Sequence, residues 1–257
     1  MLSDYMQQLV LVYVLVVFRV AGMMLFMPLF GSGNIPRQVK GLLCIIIAAA
    51  LVPAVPMPEQ LPESTWALAI GIGGEMMFGL SLGMVVSMVF IAAQWAGETI
   101  GQQMGLNMSE IFDPQFGARG SVVSGMFFML TTIIFLAMNG HHAVLRGLRD
   151  SFAALPLLSV AVSPDIFELL IGLLAGATSL AVQLAAPMLL TMLVVDLVLG
   201  VVGKTMPQFN IMTAGLSMRS GIGMFLLILG LALSSQIISE SLVTSIAAFR
   251  DACLGLI

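Results

Sequence analysis

Charge is scarce in this sequence. Asp, Glu, Lys and Arg make up 9% of its 257 residues and hydrophobic residues 60%, with a mean hydropathy of +1.10. A soluble domain carries about 25% charged residues, so water cannot be the main solvent and the chain reads as an integral membrane protein. Cysteine is nearly absent as well. Cys44 and Cys253 lie in apolar or amphipathic stretches, which suits small packing residues and argues against a disulfide or a metal framework. There is no HExxH, Walker A, GxSxG or paired-cysteine motif, hence no catalytic constellation, no cofactor cradle and no metal-ligand set. An intramembrane protease or lipid-modifying enzyme is thereby a minor reading. Basic residues are few and scattered, and the net charge is −4, so no nucleic-acid partner is expected. No internal repeat or low-complexity segment is visible, and an ion-coupled secondary transporter would usually show inverted repeats with broken helices.

What the chain does have is length of apolar sequence. A membrane span needs roughly 17 to 25 residues, and runs of that size lie at Leu9–Phe30, Trp66–Ala96, Val122–Met138, Phe167–Gly200 and Gly221–Ile238. Gly41–Val55 is shorter and gives a sixth span if it crosses. The opening segment carries Asp4 and no basic start region, so it is expected to stay as a span and not to be cleaved as a signal peptide. Phe167–Gly200 would run roughly 51 Å as one helix, against a hydrocarbon core of about 30 Å. It must tilt, kink or protrude, and Pro187 is the natural kink point. The same arithmetic applies to Trp66–Gly105, with an interruption expected near Gly71–Gly74. Beyond Ile238, apolar Leu242, Val243, Ile246, Phe249, Cys253 and Ile257 recur at helical spacing, so the tail is expected to be amphipathic helix. The fold expected is all-α, of long kinked helices and helical hairpins in about six hydrophobic segments.

The few charges orient it. Arg37 and Lys40 fall in the first connection, Arg119 in the third, Lys204 and Arg219 in the fifth, against Arg146 and Arg149 in the fourth. The positive-inside rule then puts Arg37–Lys40 and Lys204–Arg219 in the cytoplasm and both termini outside. The third connection, Gly101–Ser121, fits least well, because Glu110 and Asp113 offset Arg119. It is polar and irregular between two spans, and unpaired backbone near hydrocarbon is tolerated only when buried in protein or lining a cavity.

Four ionisable side chains sit inside apolar helices: Arg19, Glu75, Glu98 and Asp196. Exposure of such a group to lipid costs a few kcal/mol or more, about +2.5 to +3.5 on insertion scales, so each should face protein or water. A proton or ion relay and a pairing between helices or subunits both satisfy that demand, and spacing does not reveal which acid meets Arg19. Glu75, Gly79, Gly83 and Ser87 recur every four positions, and so do Ala93, Gly97, Gly101 and Gly105, giving two ridges of mostly small residues. Such ridges let helices approach closely, within the chain or against other subunits. Methionine is abundant, at 21 residues, with Met104, Met108, Met126 and Met129 around the polar connection. Flexible thioethers suit a seal around a changing substrate and equally suit ordinary packing. His141 and His142 are adjacent, so on a helix they diverge by about 100 degrees, which favours capping or packing after Asn139 and Gly140 over a shared metal.

Several stretches together resemble a known family. They are FRVAGMMLFMPLFGSGNIPRQVK (18–40), GETIGQQMGLNMSEIFDPQ (97–115), NGHH (139–142), SFAALPL (151–157) and DLVLGVVGKTMPQFNIM (196–212). In order and over nearly the whole chain, they are similar to the FliR/SpaR export-gate proteins of flagellar and virulence type III secretion. Gly215, Leu216 and Ser217 depart from it, since the family commonly has Gly, Phe, Pro there. The resemblance implies a non-enzymatic subunit of the bacterial inner membrane, within the flagellar basal body. It implies assembly with FliP and FliQ into a helical multi-subunit export gate for unfolded proteins, with FlhB and FlhA as further partners. It implies a FliP-like region at 1–160 and a FliQ-like hairpin with its tail at 161–257. The family's plug loop maps onto 106–122, which begins beside Gly105 and includes Leu106, Asn107, Met108, Ile111, Phe112, Asp113, Pro114, Phe116, Gly117 and Gly120. Gly105, Gly117 and Gly120 are expected to let it move, and Asp113-Pro114 to turn its tip. Arg19, Glu75, Glu98 and Asp196 are expected to serve assembly. Pro207, Gln208 and Asn210 lie in the family's cytoplasmic connection, near FlhB, where charge counting also places them. NGHH and MPQFN favour the flagellar branch over a virulence homologue.

Overall fold

The computed structural model describes residues 2–28, 35–58, 64–107, 121–158, 164–206 and 211–253. Every regular element among the described residues is a helix. In chain order these are α1 (Leu2–Phe26), α2 (Arg37–Leu51) with a 3-10 turn (Val52–Ala54), α3 (Thr65–Gln103), α4 (Val122–Ala137), α5 (Gly140–Ala154), α6 (Pro164–Thr205) and α7 (Ile211–Cys253). Five are long and apolar enough to cross a membrane, or six if the bent pair α4–α5 makes one span. The all-α membrane fold expected from composition is therefore the fold observed.

Local chemistry sets several helix ends. Pro36 precedes α2, and its carbonyl accepts the Val39 and Lys40 amides at 3.0 and 3.2 Å. Pro53 has no amide to donate, and α2 tightens there into its 3-10 turn. Ser64 caps α3, its Oγ accepting the Ala67 N–H at 3.1 Å. Between α4 and α5, Asn139 turns the chain in the left-handed conformation with φ 55°, which Asn tolerates better than most residues.

Three expectations need correction. α3 runs unbroken through Gly71–Gly74; glycine lowers helix propensity by only about 1 kcal/mol, and Gly71 is where the Leu158 side chain lies, in space that a Cβ would fill. Arg219, counted in a connection, stands inside α7, and Arg146 and Arg149 lie on α5. Hydropathy marks the apolar stretch of a helix, whereas backbone hydrogen bonding carries the helix past it. The tail is helical, but Val243 is 54% exposed while Leu242 and Phe249 are buried, so the buried stripe is narrower than the apolar pattern.

The chain divides into two compact units, Met1–Met88 with Leu136–Leu174 and Leu242–Ile257, and Val89–Phe135 with Ala175–Ser241. In the first, α1 lies against the N-terminal half of α3 at backbone distance. A Cβ at Gly79 would overlap the Arg19 carbonyl oxygen, one at Gly83 would come 2.5 Å from that of Met23, and one at Gly22 would overlap that of Met76. The Glu75–Ser87 ridge is thus used inside the chain. α2 joins α1 through Tyr13 Oη, which donates to the Ile45 carbonyl at 3.2 Å, and through buried Cys44, whose Sγ lies 3.6 Å from the Val17 carbonyl. The Cys253 side chain lies outside the described residues. In the second unit Phe90 packs on Phe128 and edge-on against Phe135, with centroids 5.8 and 5.7 Å apart. α6 continues as one helix through Pro187, which borders an apolar cavity of about 160 Å³.

Candidate functional site

The four intramembrane charges all find partners within the chain. Arg19, on α1, and Glu75, on α3, meet in the first unit with Nε 2.5 Å from Oε2, and both side chains are 0% exposed. The guanidinium also donates to the Ser151 carbonyl and Oγ, each at 3.3 Å, and to the Leu155 carbonyl at 3.2 Å. It also lies over the rings of Phe78 and Phe152, whose centroids are 4.9 and 4.4 Å from Cζ, which adds cation–π attraction. Glu75 uses its other oxygen to accept the Leu158 N–H at 2.9 Å. Leu158 has φ 68°, strained for a branched side chain, and Glu75 and Gly71 together hold it there. Inside the chain, Arg19 and Glu75 therefore bind α1, α3 and the end of α5 to one another.

Glu98 stands in the second unit, in the last turns of α3, half-buried. Its Oε1 accepts Asn107 Nδ2 at 2.6 Å and Gln102 Nε2 at 3.5 Å, and its Oε2 accepts the Ser121 backbone N–H at 3.3 Å. Asn107 and Ser121 are the described residues on either side of 108–120, so one carboxylate gathers both feet of the central connection. The backbone around it is tightly specified. α3 ends in a Schellman motif, with Leu106 N–H donating to the Gly101 carbonyl at 3.1 Å and Gly105 N–H to that of Gln102 at 3.0 Å. Gly105 supplies the positive φ of 74° which that motif needs. A Cβ on Gly101 would overlap Ser121 Oγ and come within 3.2 Å of Asn107 Oδ1, and one on Gly97 would press on the Ser124 and Val123 backbone. The second small-residue ridge is thus the seat of the start of α4.

α7 closes the same corner. Ser220 Oγ reaches the Met104 carbonyl at 2.9 Å and its own Leu216 carbonyl at 3.0 Å, and the Leu216 side chain fills the space beside Gly105. Met104 is fully buried and packs with Met192 against Gly223, whereas Met126 and Met129 are 40% and 65% exposed. Asp196, on α6, meets Arg219, on α7, at 2.7 Å from Oδ1 to Nε, both partly exposed. The Nε–H has no aligned acceptor, so this pair is a Coulombic contact and not a hydrogen bond. His141 and His142 do not stay apart, because their rings lie 4.2 Å apart and tilted by 38°. No group of three or more His, Cys, Asp or Glu is placed to hold a metal among the described residues.

Of the central-loop residues named from sequence, Gly105, Leu106 and Asn107 belong to this corner. Met108, Ile111, Phe112, Asp113, Pro114, Phe116, Gly117 and Gly120 lie outside the described residues, as do Pro207, Gln208 and Asn210 of the last connection. Sequence reasoning assigns no contact to Ser121, Gln102, Leu216 or Ser220. A signal for Ser121 exists, since it precedes an apolar helical run as a capping residue does.

The family model for bacterial export proteins, family 1, matches residues 10–244. The chain belongs to that family. It is 29% identical over 219 residues to the flagellar biosynthetic protein FliR of Aquifex aeolicus, covering 84% of this chain and 83% of the relative. It is 26% identical over 242 residues to FliR of Bacillus subtilis, covering 93% of each, and 27% identical over 211 residues to FliR of Escherichia coli, covering 81% and 80%. This member of export family 1 is a membrane protein, and the relatives named here serve flagellum biogenesis.

Proposed function

We propose that this export-family protein is a component of the flagellar protein export gate of the bacterial inner membrane. With FliP and FliQ it forms the channel for unfolded flagellar proteins, near FlhB and FlhA, and residues 106–122 plug that channel at rest. It acts by assembly and occlusion, without catalysing a reaction. Residues 1–160 and 161–257 take the FliP-like and FliQ-like places in the assembly.

The observation that carries the plug reading is the corner at Glu98. A polar segment between two spans leaves and rejoins the described helices at one carboxylate, which holds Asn107 on one side and Ser121 on the other. A loop of that kind is stable at a membrane when protein surrounds it. The Asp196–Arg219 pair supports assembly in the same way. Two partly exposed charges within apolar stretches of helix are costly against lipid and acceptable against protein or water.

The test is deletion of 106–122 in the tagged full chain, expressed with its export partners. The complex is expected to purify with two small membrane subunits, and cells carrying the deletion are expected to leak small solutes that the parent excludes. A tight membrane around a fully assembled deletion complex would refute the plug, and purification of the tagged chain as a lone monomer would refute the gate.

A further inference from the structure

We infer that Glu98 is the positioning residue of the central loop, holding both feet in place without being needed for the helices they join. The inference deepens the plug reading, and its barrier readout rests on that reading.

The geometry separates the two tasks. Ser121 is the N-cap of α4: its Oγ lies 3.3 Å from the Val123 N–H and its carbonyl accepts the Gly125 N–H at 3.0 Å. The N-cap residue's own N–H lies outside the helical ladder. In a capping box a Glu or Gln at the third helical position reaches back to take it, but the third position here is Ser124, whose hydroxyl donates to the Ser121 carbonyl. Glu98 supplies that acceptor from another helix. It does the same for the opposite foot through Asn107, at 2.6 Å, the shortest of its bonds. All three described partners are uncharged donors, so the carboxylate is engaged as an acceptor. Bonds to an ionised acceptor are roughly twice as strong as neutral ones.

The helix ends have other supports. The Schellman motif and Ser220 hold the end of α3, and the close approach of Gly97 to Val123 and Ser124 holds the start of α4. Removal of the carboxylate should therefore free the feet and leave both helices in place.

The experiment compares Glu98→Ala, Glu98→Gln and the 106–122 deletion in the assembled complex, reading hydrogen–deuterium exchange and solute leak. For Glu98→Ala, exchange at the feet, Asn107 and Ser121, should rise about tenfold or more, the scale of losing a hydrogen bond to a charged group, while the Gly105 and Leu106 amides of the Schellman motif stay protected. Protection in the bodies of α3 and α4 should stay, the complex should assemble, and solute should leak. Glu98→Gln, which keeps one acceptor oxygen, should lie between it and the parent. Joining Asn107→Cys to Ser121→Cys with a short thiol cross-linker in the Glu98→Ala chain should lower the leak again. Unchanged exchange at the feet, or loss of protection throughout α3 and α4, overturns the inference. So does a deletion that leaks beside a Glu98→Ala complex that stays tight. Raised exchange with no leak from either variant leaves Glu98 as the positioning residue and counts against the plug instead. Should Glu98→Ala fail to assemble, Asn107→Ala removes only the loop-side donor, and the same readings decide.

Discussion

Glu75 has no water to turn to if Arg19 is removed. Both side chains are fully buried, and Leu158 N–H would be the remaining described donor to the carboxylate. Breaking a buried pair from one side costs about 3 to 5 kcal/mol, while replacing both members with apolar residues is often neutral. Arg19→Met is accordingly expected to lower the thermal stability of the detergent-solubilised complex by that amount, and Arg19→Met with Glu75→Met to recover most of it. Equal loss in the single and double variants would show that the Ser151 and Leu155 contacts, and not the ion pair, carry the stability. At this scale sequence reasoning goes halfway. The position of Arg19, Glu75, Glu98 and Asp196 within apolar stretches of sequence marks each as needing a partner, because lipid offers none. It does not name the partner: Arg19 and Glu75 are 56 positions apart on different helices, and that distance is closed by tertiary packing alone.

Among the helices, the small-residue ridges are legible as a four-residue period, and what they meet is not. Gly79 touches the backbone of α1, whereas Gly73, on the same helix, has no neighbour within 4 Å of where a Cβ would stand. Gly79→Ala must push two backbones apart and is expected to cost about 1 to 3 kcal/mol, the range for overpacking. Gly73→Ala should stabilise by up to about 1 kcal/mol through helix propensity. Thermal unfolding of the two variants side by side checks the contrast, and similar effects at both positions would contradict the close approach of α1 to α3. The same distinction explains the missing break in α3. Glycine in sequence signals either a bend or a contact, and at Gly71 the contact with Leu158 is the one used. Gly105 is a third case, in which the positive φ ends the helix. Its position before a polar stretch makes that readable, while the seat it forms for Leu216 depends on α7, far later in the chain.

At the level of the molecule the helices differ in how much the chain covers them. The apolar window of α3 is 72% buried, but those of α6 and α7 are each 22% buried. Leu190, Leu193, Leu197 and Val201 of α6 are all between 56% and 64% exposed. α6 has 42 residues, about 63 Å of helix against a core of about 30 Å. Even a tilted helix of that length leaves apolar surface beyond the lipid, and water would make it costly at roughly 25 cal/mol per Å². Protein is the remaining cover, which supports the assembly proposed for these long helices. A photo-cross-linking residue placed at exposed Ile171 or Val201, toward the two ends of α6, is therefore expected to capture other membrane subunits of the gate. The same group at buried Leu184, which is 3% exposed, should capture only this chain. If Ile171 and Val201 yielded lipid adducts alone in the assembled complex, α6 would have to lie along the membrane, and the protein-covered hairpin would be wrong.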